Sequence, residues 1–165
     1  MINIHREVKK SISDLVLQDE GFTIILSGNN GIGKTTLMTS LLNELGKNIQ
    51  LYDAITSKNT KLYDGIIHLN NNGIVGKFNP NNSDIQENIL LIDNIDTLTL
   101  THEKKTLQDI VERNHKYKQI KIIIITGSSD NKYILDLKKY CRCFYLNRIN
   151  DIQFGMILKK NLQEY

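Results

Sequence analysis

The sequence is short of several residue types, and each shortage narrows what the chain can be. Cysteine occurs twice, at Cys141 and Cys143, one residue apart. Neighbours at i and i+2 make poor disulfide partners, so both are expected as reduced thiols. His5, His68, His102 and His115 are scattered at no ligand spacing, and a Cys-x-Cys pair without further ligands is not a zinc site. Proline occurs once, at Pro80, and arginine four times, at positions 6, 113, 142 and 148. No apolar run approaches the roughly 18 to 20 residues that a membrane span needs. The opening MINIHREVKK has no apolar segment of the secretory kind. A non-secreted protein, cytoplasmic or nuclear, with no membrane span is therefore expected. There is no internal repeat and no linker that would split the chain.

What is present fits a single globular domain, 1–165. Hydrophobic residues make up 40% and charged residues 24%, ordinary proportions for such a domain. The net charge of +3 is unevenly spread: residues 1–100 carry 8 Lys/Arg against 11 Asp/Glu, and residues 101–165 carry 13 against 7. A basic half is either an electrostatic footprint for DNA or RNA or a solvated, lysine-rich surface.

Strand and helix patterns alternate along the chain. FTIILS (22–27) is a nearly continuous apolar run, as in a strand covered on both faces. KTTLMTSLLNEL (34–45) has Leu37, Leu41, Leu42 and Leu45 on one stripe, with Gly46 as a helix stop. Strands are expected at 48–54, 88–95, 121–127 and 141–147, with two short ones at 65–69 and 73–78. Residues 79–84 read as a loop. Helices are expected at 101–117, capped by Thr101, and at 131–140 and 151–165. Strands separated by helices imply an α/β fold: a three-layer αβα sandwich around a mainly parallel sheet.

The most informative stretch is Gly28, Asn29, Asn30, Gly31, Ile32, Gly33, Lys34, Thr35, followed by Thr36. It fits G-x-x-x-x-G-K-[ST] between a buried strand and an amphipathic helix. Glycines let successive N–H groups turn inward toward phosphate oxygens. The helix beginning near Lys34 adds free N–H groups and the positive end of its dipole. Lys34 brings charge to the β- and γ-phosphates, and the Thr35 hydroxyl can take one Mg²⁺ position. Residues 28–36 are thus the expected nucleotide-binding residues, with ATP and Mg²⁺ as cofactors.

ILLID ends in Asp93 at the carboxyl end of a buried strand, where open parallel sheets bind ligands. Asp93 reads either as the acid that organises Mg²⁺ or as a cap on the following turn. Asp96 reads as a carboxylate near the reacting water or as a turn residue. Thr126, ending IIIIT, either touches the γ-phosphate or the water or simply ends its strand.

Together these pieces resemble the ASCE division of P-loop NTPases, whose core is a RecA-like parallel sheet. Walker A matches at 28–35, Walker B at 89–93 and a sensor-1-like strand at 122–126. Within that division the stretch from LLIDNID to LNRINDIQFGMILKK looks like the initiator, helicase-loader and clamp-loader branch of the AAA+ family. The resemblance implies ATP hydrolysis, with Lys34, Asp93, Asn94, Asp96 and Thr126 as catalytic candidates and Thr35 and Asp93 at the metal. It also implies a protein partner or a second copy completing the site, in a DNA replication, loading or packaging setting.

Three departures accompany the resemblance. Hydrolytic members often place Glu directly after the Walker B Asp, where this chain has Asn94; an amide holds a water but cannot take its proton. The family's arginine finger falls shortly before the last strand, where Arg142 is the nearest residue. The family's helical lid has no counterpart in these 165 residues. Slow hydrolysis, or a nucleotide-binding assembly subunit, follows as an alternative. The loop also resembles that of ABC-type ATPases, but no LSGGQ-like signature lies between Lys34 and Asp93. Scarce arginine argues against the lid of a small-molecule kinase. No N-K-x-D follows the last strands, which favours adenine over guanine.

Overall fold

The computed structural model describes residues 5–55, 88–127, 131–148 and Gly155. Five strands form one sheet: β1 (Phe22–Ser27), β2 (Asn48–Asp53), β3 (Asn88–Asp93), β4 (Lys121–Thr126) and β5 (Arg142–Tyr145). Their order is β2-β3-β4-β1-β5, and every neighbouring pair is parallel.

The central strands are apolar almost throughout because both faces are covered. On one face Ile25, Leu90, Ile92, Ile122 and Ile124 pack with Leu107, Val111, Ile134 and Leu137. Those four belong to helices α3 (Thr101–Tyr117) and α4 (Lys132–Lys138). On the other face Ile24, Leu26, Leu91, Ile123 and Ile125 meet α1 (Arg6–Val16) and α2 (Lys34–Glu44). Successive strand residues point to opposite faces, so each strand feeds both layers. The three-layer αβα sandwich follows directly.

Helix α1 is not among the sequence expectations. Ile12, Leu15 and Val16 bury one stripe of it. Lys9 reaches Glu44 of α2 at 2.8 Å, and Lys121 Nζ donates to the carbonyls of Val16 at 2.8 Å and Gln18 at 2.5 Å. A lysine at a helix C-terminus meets carbonyls that have no partner within the helix.

Several boundaries shift. Leu100, not Thr101, is the N-cap of α3, and no side chain caps it. Thr101 is the first helical residue, so its hydroxyl lies one position too late for the capping bond. Strand β3 stops at Asp93 because Asn94 turns into the left-handed region (φ 56°) and leads into a 3₁₀ turn, Ile95–Thr97. Asn131 caps α4, its side chain accepting from Tyr133 N at 3.0 Å. Gly46 (φ 64°) ends α2 as expected, with Gly46 N bonding to Asn43 O and Lys47 N to Leu42 O. The expected strands at 65–69 and 73–78 and the loop at 79–84 lie outside the described residues. So does the helix at 151–165, apart from Gly155.

Candidate functional site

With β4 between β3 and β1, the carboxyl ends of those three strands lie side by side. Each motif read from the sequence sits at one of those ends. The loop after β1 enters α2 through Gly33, whose φ of 85° is a conformation side chains rarely adopt. Behind the loop, Leu146 N donates to Ser27 O at 2.9 Å and Ser27 Oγ to Phe144 O at 3.2 Å. The β5 end thus supports the loop from the side away from β4.

Lys34 is only 7% exposed. Its ammonium donates to the carbonyls of Gly28 and Asn29, at 2.8 Å each. Burial holds its pKa below the ordinary lysine value, against the opposing pull of the Asp93 and Asp96 charges. A cation kept partly desolvated in a loop of inward-facing amides is a site prepared for an anion.

Thr35 Oγ1 donates to Asp93 Oδ2 at 2.6 Å, and Asp93 Oδ1 accepts from Asn94 N at 2.8 Å. Asp93 therefore both faces the loop and caps the turn that follows it. Asp96 Oδ1 accepts from Thr126 Oγ1 at 3.1 Å and from Gly127 N at 3.0 Å. Asp96 and Thr126 are thus joined, linking the 3₁₀ turn after β3 to the tip of β4.

These groups surround a cleft of about 340 Å³. Asn30, Gly31, Gly33, Lys34, Thr35 and Thr36 form its loop side. Asp93, Asn94 and Gly127 form the opposite side. Gly28 and Asn29 contribute carbonyls to Lys34, and Ile32 packs toward the apolar layer of α1 and α2. A hydroxyl and a carboxylate bonded to each other are a hard-oxygen donor set suited to Mg²⁺. Thr35 and Asp93 would hold the ion, and Lys34 with the loop amides would hold the phosphates.

Two participants were not read from the sequence. Gly127 lies against Asn30: a Cβ there would fall on the Asn30 amide oxygen. Asp53, in register with Asp93 on the neighbouring strand, accepts from Asn94 Nδ2 at 2.9 Å. The only sequence signal for Asp53 was a polar residue closing an otherwise strand-like run.

A second cavity, of about 230 Å³, lies near the amino end of β1, between Phe22, Asn114 and Arg142. It contains none of the motif residues. Cys141 and Cys143 are free thiols. Among the described residues no helix is long and apolar enough to cross a membrane.

Residues 24–142 match the family model described as "ATPase family associated with various cellular activities (AAA)". The chain is also 29% identical over 136 residues to the "Putative replication factor C large subunit" of Acanthamoeba polyphaga mimivirus. That match covers 70% of this chain and 25% of the viral protein, so the chain spans about a quarter of the length of that relative.

Proposed function

The chain belongs to the ATPase family associated with various cellular activities, and on that premise we propose that it binds ATP with Mg²⁺ and hydrolyses it slowly within a DNA-handling assembly. The observation that carries this reading is the bond between Thr35 and Asp93 across a cleft whose other anchor is the buried Lys34. Loop amides and Lys34 bind the triphosphate, and Thr35 and Asp93 bind Mg²⁺. The ion, when bound, offsets charge that develops on the phosphate oxygens. Water attacks the γ-phosphorus, and Asp96, anchored by Thr126 and Gly127, is the carboxylate assigned to take its proton.

Arg142 is exposed and stands opposite Ile24, on the edge strand and away from the carboxyl ends. It is better placed to complete the site of a neighbouring subunit than its own, so we propose a protein partner or a second copy. The basic residues of 101–165 suit DNA or RNA contacts, and the printed name of the viral relative points to replication. Such a protein works inside the cell. Asn94 in place of an acid favours a second reading, a subunit that binds nucleotide to control assembly and turns over little.

The test is steady-state ATP hydrolysis by the purified chain with Mg²⁺, with and without single- and double-stranded DNA, beside an ATP titration. Turnover that rises with DNA and disappears in Lys34→Ala supports the first reading. Binding without turnover supports the second. No binding at all rejects both.

A further inference from the structure

Resting on the reading of this cleft as an ATP hydrolysis site, we propose that Asp53 is a positioning residue that sets the direction of the Asn94 amide. Asn94 then holds the attacking water through its amide oxygen.

An amide has a donor end and an acceptor end, and an ionised carboxylate only accepts. Asp53 Oδ1 takes the amide nitrogen of Asn94 at 2.9 Å. The same oxygen accepts from Ile55 N at 3.0 Å, which pins the carboxylate to the end of β2. The nitrogen end of Asn94 is therefore committed away from the cleft that Asn94 lines. The end left for the cleft is the oxygen. Phosphate oxygens are acceptors too, so an amide oxygen beside them is satisfied only by a donor standing between, and water is that donor. Without Asp53, the amide has no reason to prefer this sense.

The arrangement also accounts for an amide where hydrolytic relatives carry an acid. Asp53 and Asp93 are in register at the ends of adjacent strands. A carboxylate at position 94 would face both, and like charges that close disfavour each other's ionised forms. Here the acid of the acid–amide pair comes from β2 and the amide from the residue after β3.

In the reaction the water oxygen bonds to the γ-phosphorus. The bond from phosphorus to the β,γ-bridging oxygen breaks, and its electron pair leaves on ADP. One water proton passes to Asp96, while the other O–H stays on Asn94 Oδ1 until phosphate departs.

The test compares wild type with Asp53→Asn, Asn94→Gly, the double variant and Asp53→Glu. Glycine tolerates the φ of 56° at position 94 and removes only the amide. Measured are kcat and KM for MgATP, ATP binding by titration and melting temperature. Asp53→Asn and Asn94→Gly should each lower kcat by about tenfold or more with KM and binding nearly unchanged. The double variant should be no slower than either single one, because both remove one interaction. Asp53→Glu should recover part of the lost rate. A kcat unaffected by Asp53→Asn, or losses that multiply in the double variant, overturns the proposal. A wild type that binds ATP without turnover also overturns it, while leaving nucleotide binding standing. A wild type that binds no ATP removes the functional reading itself.

Discussion

Thr35 on α2 and Asp93 at the end of β3, 58 residues apart in sequence, meet through a 2.6 Å hydrogen bond. This contact joins the phosphate-loop helix to the strand two places away in the sheet. The two groups that would share a metal ion are thereby held at one point.

Removing the Thr35 hydroxyl should weaken nucleotide binding only when Mg²⁺ is present. Thr35→Ala is expected to lower MgATP affinity by about tenfold or more, a loss in the range of a hydrogen bond to a charged group. Binding in EDTA should change little, and Thr35→Ser should behave as wild type. A fluorescent-nucleotide titration with and without Mg²⁺ checks this; equal losses in both would remove Thr35 from the metal site.

Lys34 couples the loop to stability with a definite sign. Its folded pKa lies below the unfolded value because of burial. Burying the charged form costs stability below the folded pKa, and that cost fades as pH rises toward the unfolded value of about 10.4. The melting temperature of wild type should therefore gain on that of Lys34→Met between pH 7 and 10. At 100 times Kd, MgATP should stabilise wild type by about 2.7 kcal/mol, or roughly 5–10 °C. Lys34→Met should show no such shift by scanning fluorimetry.

Gly127 is kept free of a side chain by the Asn30 amide. Gly127→Ala should push Asn30 and the loop out of place and weaken ATP binding by roughly fivefold to tenfold. Adding Asn30→Ala should restore most of the loss, since it removes the colliding group. Simple additivity in the double variant would place the defect elsewhere.

Asn114, buried near the end of α3, ties three parts of the chain together. Its Nδ2 reaches Thr23 Oγ1 and Ile120 O at 2.9 Å and Phe22 O at 3.2 Å. Its Oδ1 accepts from Gln119 N at 3.1 Å and Ile120 N at 3.0 Å. Asn114→Ala leaves these buried groups unmatched and should cost about 3 kcal/mol, or roughly 6–12 °C of melting temperature. Calorimetry measures it directly, and a change below about 2 °C would contradict the assignment.

The two thiols should differ in reactivity. Burial pushes the Cys141 thiol up to about 12, whereas Cys143 is exposed. At pH 8 the thiolate fraction of Cys141 is then on the order of 10⁻⁴. Iodoacetamide should modify Cys143 in the folded chain and Cys141 only after unfolding, as read by peptide mass spectrometry. The unfolded thiol ionises first, so the stability contributed by neutral Cys141 is lost as pH climbs from about 8.5 toward 12.

Where a local pattern carried its own physical reason, the reading from sequence holds. The apolar runs of β1, β3 and β4 and the Leu stripe before Gly46 stand as expected. Thr101 misled because a threonine at the cap and one at the first helical position look alike in sequence. Helix α1 was missed although Ile12, Leu15 and Val16 have helical spacing; three apolar residues among charged neighbours gain meaning only from the layer that covers them.

The sequence by itself determined the phosphate loop, the alternation of strands and helices and the acid at the end of β3, because backbone freedom, periodicity and side-chain chemistry are local properties. Tertiary structure alone decided which side chains meet: Asp53 with Asn94, Asp96 with Thr126, Gly127 with Asn30 and Asn114 with β1. The order β2-β3-β4-β1-β5 places strand ends together that are far apart in sequence. No periodicity encodes such pairings, because they arise from how the layers close over the two faces of the sheet.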